Sequence, residues 1–133
     1  MKVVVDTNVV ISGVFFGGMP SRVLEAWRDG EFDLVVSPEV LEEYRRVGEE
    51  LMARFPGVSL APFLALLVMN AEIVEAPGLS DQVSRDRDDD KFIACALAAN
   101  CQTIISGDKD LLEVTGYQGL KVVAPREFLE SVL

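Results

Sequence analysis

The sequence predicts an α/β domain whose parallel β-sheet is covered by helices on both faces. Three observations carry this reading. Short runs at Lys2 to Val5, Asp33 to Val36, Gln102 to Ile105 and Lys121 to Val123 carry apolar, mostly β-branched residues in succession rather than in alternation. Strands buried on both faces look like this. The runs are separated by segments with helical periodicity or helix-start signals, the alternation expected of strand–helix–strand units. The chain has 133 residues, half of them hydrophobic, which suits one domain with a core and argues against disorder. No repeat or linker divides residues 1–133.

In chain order, Lys2 to Val5 is the first strand. Val9 to Phe16 is a short helix or a loop packed on the core, broken by Gly17-Gly18. Pro20 and Ser21 open a helix through Val23, Leu24 and Trp27 to Gly30. Asp33 to Val36 is the second strand. Ser37-Pro38-Glu39 is a helix start with Ser as N-cap, Pro at the first position and an acid in the first turn. That helix runs to Arg54, before Pro56-Gly57, with a core stripe of Val40, Leu41, Tyr44, Val47, Gly48, Leu51, Met52 and Phe55. A helix over residues 60–70 and a short strand over residues 72–74 follow. Residues 75–88 read as loop, 89–100 as a helix, 102–105 as a strand, 108–114 as a short helix, 121–123 as a fifth strand and 125–133 as a closing helix.

Charge and composition remove several function classes. Twelve bases against 22 acids leave a net charge of −10. Coating nucleic acid by bulk charge requires the opposite balance, although an enzyme can meet nucleic acid through metal ions. There is no histidine, so Ser-His-Asp and Cys-His catalysis and histidine zinc sites are excluded. Cys95 and Cys101 are too few for a disulfide framework or an all-cysteine zinc site and read as reduced thiols of a cytoplasmic protein. Met1 to Asp6 meets an acid too early for a signal peptide. The longest apolar stretch, Leu60 to Met69, is far short of the roughly 20 residues of a membrane span.

The acids carry the chemistry. In an open parallel sheet the functional crevice lies beyond the carboxyl ends of the strands. Asp6 follows the first strand as a helix N-cap or a metal ligand, with Thr7 and Asn8 beside it to hold water or orient a carboxylate. Glu43 lies on the flank of its helix's apolar stripe, nearer the core than Glu39, Glu42, Glu49 or Glu50. Asp89 falls on the same face as Phe92, Ile93 and Ala96, where a carboxylate must be capped, paired or bound to metal. Four acids crowd residues 86–90. Asp108 follows the fourth strand through Ser106-Gly107, again as N-cap or ligand. Gathered at one edge, these acids repel and raise one another's pKa. Oxygen-only donors suit Mg²⁺ or Mn²⁺ rather than zinc.

Four segments, taken in order, resemble the motifs of the PIN domain family. They are Val3-Val4-Val5-Asp6-Thr7-Asn8, Ser37-Pro38-Glu39-Val40-Leu41-Glu42-Glu43-Tyr44, Asp89-Asp90-Lys91-Phe92-Ile93-Ala94-Cys95-Ala96 and Ile105-Ser106-Gly107-Asp108-Lys109-Asp110. The resemblance covers nearly the whole chain. It implies a metal-dependent endoribonuclease cutting single-stranded RNA, with Asp6, Glu43, Asp89 and Asp108 as catalytic and metal-binding acids and Thr7, Asn8, Asp86, Asp90 and Ser106 in support. Counting back from Ile93-Ala94 as the family does selects Asp90; the helical wheel selects Asp89, which is taken here as the ligand. The chain is most similar to VapC-type toxin components of toxin–antitoxin pairs. That implies a cognate antitoxin protein as partner and a homodimer or higher homo-oligomer. Two rivals stand beside this reading. A non-catalytic PIN-like binding module would keep the acids as caps. An Asp-dependent phosphatase or phosphotransfer domain would want an acid two residues after Asp6, where Asn8 stands.

Overall fold

The computed structural model describes residues 1–133. Five parallel strands form one sheet: β1 (Lys2–Val5), β2 (Asp33–Val36), β3 (Glu72–Ile73), β4 (Thr103–Ile105) and β5 (Lys121–Val123), in the order β3-β2-β1-β4-β5. Val3 to Val5, Leu34 to Val36 and Thr103 to Ile105 are all buried, so both faces of the sheet are covered. Each fully buried Val or Ile side chain contributes about 1.5–3 kcal/mol. Register pairs Val5 with Ile105 and Ile105 with Val123, so three strands end level with one another. The ladder runs one residue further: Asp6 N–H donates to Ile105 O at 2.9 Å and Ser106 N–H to Val123 O at 2.9 Å.

Strand order reverses between β1 and β4. The chain builds outward from β1 through β2 to β3, then returns to the other side of β1. Such a switch point opens a crevice at the carboxyl ends of the strands.

Seven helices connect the strands: α1 (Thr7–Phe15), α2 (Gly18–Arg28), α3 (Pro38–Arg54), α4 (Ala61–Asn70), α5 (Asp90–Ala98), α6 (Lys109–Leu112) and α7 (Pro125–Glu127). α1 packs on α2 and α3, and α5 packs against β1, β2 and β4. Ser37 caps α3 by accepting from Val40 N–H at 3.2 Å. No single helix is long and apolar enough to cross a membrane.

Several expected boundaries move, each for a local reason. Residues 7–15 are helical rather than loop. α2 begins at Gly18, two residues before Pro20. Gly17, at φ 90°, turns the chain there, and Pro20 stands at the third helical position, where its missing N–H has no intrahelical acceptor anyway. Residues 87–89 wind as a 3-10 turn, and α5 starts only at Asp90. Asp86 causes this by accepting from Asp88 N–H at 3.0 Å. After α7 the chain widens into a π-turn, Phe128–Val132, closed by Leu133 N–H on Phe128 O at 2.8 Å. Phe128 is buried edge-on against Phe32, with centroids 5.2 Å apart.

The stripe expected along α3 is buried at Val40, Tyr44 and Gly48 and not beyond. Phe55 is exposed and packs edge-on against exposed Phe16 at 5.4 Å. α4 differs more from a core helix. Only Leu67 of its ten residues is buried, while Leu66, Val68 and Met69 are exposed. An apolar helix covered on one side leaves a surface that water solvates poorly.

α3 and the chain entering α4 meet across Gly48. A Cβ there would lie 2.1 Å from Leu60 Cδ2, and Leu60 is fully buried. Overpacking of this kind costs about 1–3 kcal/mol. Gly48→Ala should lower the urea midpoint, whereas Gly48→Ala combined with Leu60→Ala should be no less stable than Leu60→Ala alone. Independent, additive losses would show that the two residues are not in steric contact.

Candidate functional site

β1, β4 and the start of α3 deliver their polar residues to the switch-point crevice. Asp6 follows β1 and is buried. It starts α1 yet makes no side-chain cap; one carboxylate oxygen instead accepts from the Ser106 hydroxyl at 2.7 Å. Ser106, fully buried just beyond β4, also accepts from Asp108 N–H at 2.9 Å. One serine thus ties the acid of β1 to the acid that follows β4. Asp108 is half-buried and does cap α6, accepting from Asp110 N–H at 2.9 Å.

Glu43 reaches the crevice because its neighbour is anchored. The buried Tyr44 hydroxyl donates to Val5 O at the tip of β1, which brings α3 against the strand just before Asp6. Glu43 is buried beside it and accepts from the Thr7 hydroxyl on one oxygen and from Lys91 Nζ, at 2.7 Å, on the other. Glu42 points outward and pairs with Arg45.

The acid-rich segment sorts itself by partner. Asp86 is exposed and caps the 3-10 turn. Asp88 is exposed and pairs with Lys91 at 3.1 Å. Asp90 accepts from Val83 N–H at 3.0 Å and Ser84 N–H at 2.8 Å, so it clamps the preceding loop. Asp89 alone is buried, without a cap, and its contact is the Ser84 hydroxyl at 3.3 Å. The structure therefore separates two acids that the sequence leaves in competition: Asp89 belongs with the crevice and Asp90 with the loop.

Asp6, Asp89 and Asp108 sense one another. Burial, then the charges of Asp108 and Glu43, push Asp6 up to about 6, with Ser106 opposing. Burial and the charges of Asp108, Asp6 and Asp86 push Asp89 up to about 7, with Ser84 opposing. Both shifts come first from burial and then from neighbouring acids that no base neutralises. No three acids stand close enough to hold a cation as they are, but the donors are all oxygens and unpaired, the set that a hard divalent ion takes.

Of the predicted residues, the structure brings Asp6, Thr7, Glu43, Asp89, Ser106 and Asp108 to this edge. Asn8 is exposed and outside the network, and Asp86 and Asp90 serve local backbone geometry. Two participants gave weak sequence signals. Lys91 is one of six bases, with Arg22, Arg28, Arg45, Arg46 and Lys109, that the sequence alone leaves between phosphate contact and surface charge, and Ser84 lay in a loop with no periodicity to orient it. Tyr44 was legible as core but not as the anchor of Glu43.

The class is a five-stranded parallel α/β domain with acids converging at its switch point. The sequence matches the PIN domain family over residues 2–110, and the chain belongs to that family. PIN domains are generally nucleases and typically use divalent metal ions. The chain is also similar to an uncharacterized protein of Methanocaldococcus jannaschii, with 29% identity covering 98% of this chain and 91% of that protein.

The raised carboxyls predict an inverted pH dependence. Asp6 and Asp89 stay protonated in the folded chain at pH values where the unfolded chain, near 3.8, has lost its protons. Their contribution to stability is full below 3.8 and lost as pH rises through about 6 and about 7. In EDTA, the melting temperature should fall between about pH 5 and pH 8, and less steeply in Asp89→Asn. A rising curve would mean that the acids are compensated.

Proposed function

We propose that this protein is a Mg²⁺- or Mn²⁺-dependent endoribonuclease acting on single-stranded RNA, and the toxin component of a toxin–antitoxin pair. The observation that carries the nuclease reading is the gathering of Asp6, Asp89 and Asp108 at the switch point without a basic partner. Asp6, Asp89 and Asp108 would hold the cation, and Glu43 closes the site on the α3 side. A divalent ion bound there supplies positive charge at the scissile phosphate and acidifies water. Ser106 keeps Asp6 and the Asp108 backbone in register with each other. A bound cation would offset the burial and mutual repulsion that push Asp6 up to about 6 and Asp89 up to about 7, so both would hold it as carboxylates. Near the crevice, Lys91 is held by Glu43 and Asp88, and Arg46 lies 3.9 Å from Glu43 and pairs with Glu50. Lys109 is unpaired and sits next to Asp108, where it meets RNA phosphate. Buried, free Cys95 and Cys101 accord with a reducing cytoplasm.

The exposed side of α4 supports self-association. Leu66, Val68 and Met69 form an apolar strip, and a symmetric dimer is the commonest way to cover one. The same exposed apolar surface suits a chain held in check by an antitoxin.

Three measurements test this. Purified protein should cleave unstructured RNA with Mn²⁺ and not with EDTA, and Asp6→Asn, Asp89→Asn or Asp108→Asn should each reduce the rate at least about a hundredfold. Full activity in all three variants would discard the mechanism. Mn²⁺ at a hundredfold excess over Kd should stabilise the fold by about 2.7 kcal/mol, with a smaller gain in Asp89→Asn. Sedimentation should give a dimer that Leu66→Glu or Met69→Glu disrupts. A monomer of 14.6 kDa at every concentration would end the dimer reading.

A further inference from the structure

Resting on the nuclease reading above, we propose that Lys91 is the resident cation of Glu43. In this arrangement the metal is left to Asp6, Asp89 and Asp108, and Glu43 is a positioning residue that aims Lys91 at the RNA backbone.

The two halves of the crevice are neutralised differently. Both Glu43 oxygens are occupied, one by the Thr7 hydroxyl and the other by Lys91 Nζ at 2.7 Å, with an Arg46 guanidinium nitrogen 3.9 Å away. The Glu43 side chain is only 9% exposed and that of Lys91 only 21%. No Lys or Arg nitrogen lies within ion-pair distance of Asp6, Asp89 or Asp108, whose side chains meet only hydroxyl groups and backbone N–H. Breaking a mostly buried ion pair by removing one partner strands the other charge at a large cost. A divalent ion therefore gains most from the three unpaired aspartates. To reach Glu43 it must first expel Lys91.

An ammonium carries three N–H donors. Lys91 gives one to Glu43 and one to Asp88, at 3.1 Å. The third is free, on a group held beside the acids yet still partly open to solvent. A phosphate oxygen of the bound strand is the acceptor that fits it, because phosphate binds Lys as a point charge. The acids on either side would otherwise repel that phosphate.

The test is a double-mutant cycle read first without RNA, by titrating Mn²⁺ into metal-free protein in a calorimeter. Asp6→Asn should weaken Mn²⁺ binding at least about tenfold, which tests the underlying nuclease reading on its own. Lys91→Met removes a positive charge and should tighten binding. Glu43→Gln strands Lys91 and should weaken it. The double variant Glu43→Gln/Lys91→Met should return to within about threefold of wild type, since the pair is close to neutral as a unit. With RNA, Lys91→Met should raise KM at least about tenfold at saturating Mn²⁺, and Lys91→Arg should recover part of the loss. A folded double variant that has lost Mn²⁺ affinity about tenfold would make Glu43 a metal ligand and overturn the proposal. Unchanged RNA kinetics in Lys91→Met would overturn it from the other side. If wild type and Asp6→Asn both fail to bind Mn²⁺, the nuclease reading fails first and this proposal goes with it.

Discussion

The carboxyl edge of the sheet is organised around one buried carboxylate. Asp6 follows a strand whose last three residues have no exposure, and its own N–H belongs to the β1–β4 ladder. The residue is 4% exposed there, and its carboxylate needs protein partners. Everything nearby is placed by that constraint. Ser106 supplies the hydroxyl Asp6 needs and orders the backbone of Asp108, while Tyr44 docks α3 on the carbonyl just before it. A buried polar group is costly unless hydrogen-bonded. The two residues that satisfy this strand tip therefore also bring the other acids in.

The second acid-bearing element solves the same problem by division of labour. Asp86, Asp88 and Asp90 are spent on a cap, an ion pair and a loop clamp. These contacts hold the 3-10 turn and present Asp89 alone to the crevice. What looks like a solvated run of charge is a scaffold for one buried carboxylate. The residual repulsion among Asp6, Asp89 and Asp108 is local destabilisation of the kind that functional sites commonly carry.

The acidic surface and the apolar strip of α4 act on different scales. A net charge of −10 repels any nucleic acid at long range. The apolar strip of α4 is a short-range feature and lies on a different element from the acids of the crevice.

The sequence by itself determined the layer architecture. Successive β-branched residues can be buried only in a sheet covered on both sides, and the Ser37-Pro38-Glu39 start is a local capping event that needs no distant partner. It also placed acids at strand tips, because topology sends those tips to one edge. Only the tertiary structure decided which of the clustered aspartates faces the crevice. Asp89 and Asp90 are adjacent, and the choice turns on whether the loop at Val83 and Ser84 comes back to claim one of them. The pairing of Glu43 with Lys91, 48 residues apart, was likewise undetermined. Periodicity reports which side of an element is apolar. It does not report which long-range neighbour arrives to cover that side, or which charge arrives to meet a buried acid.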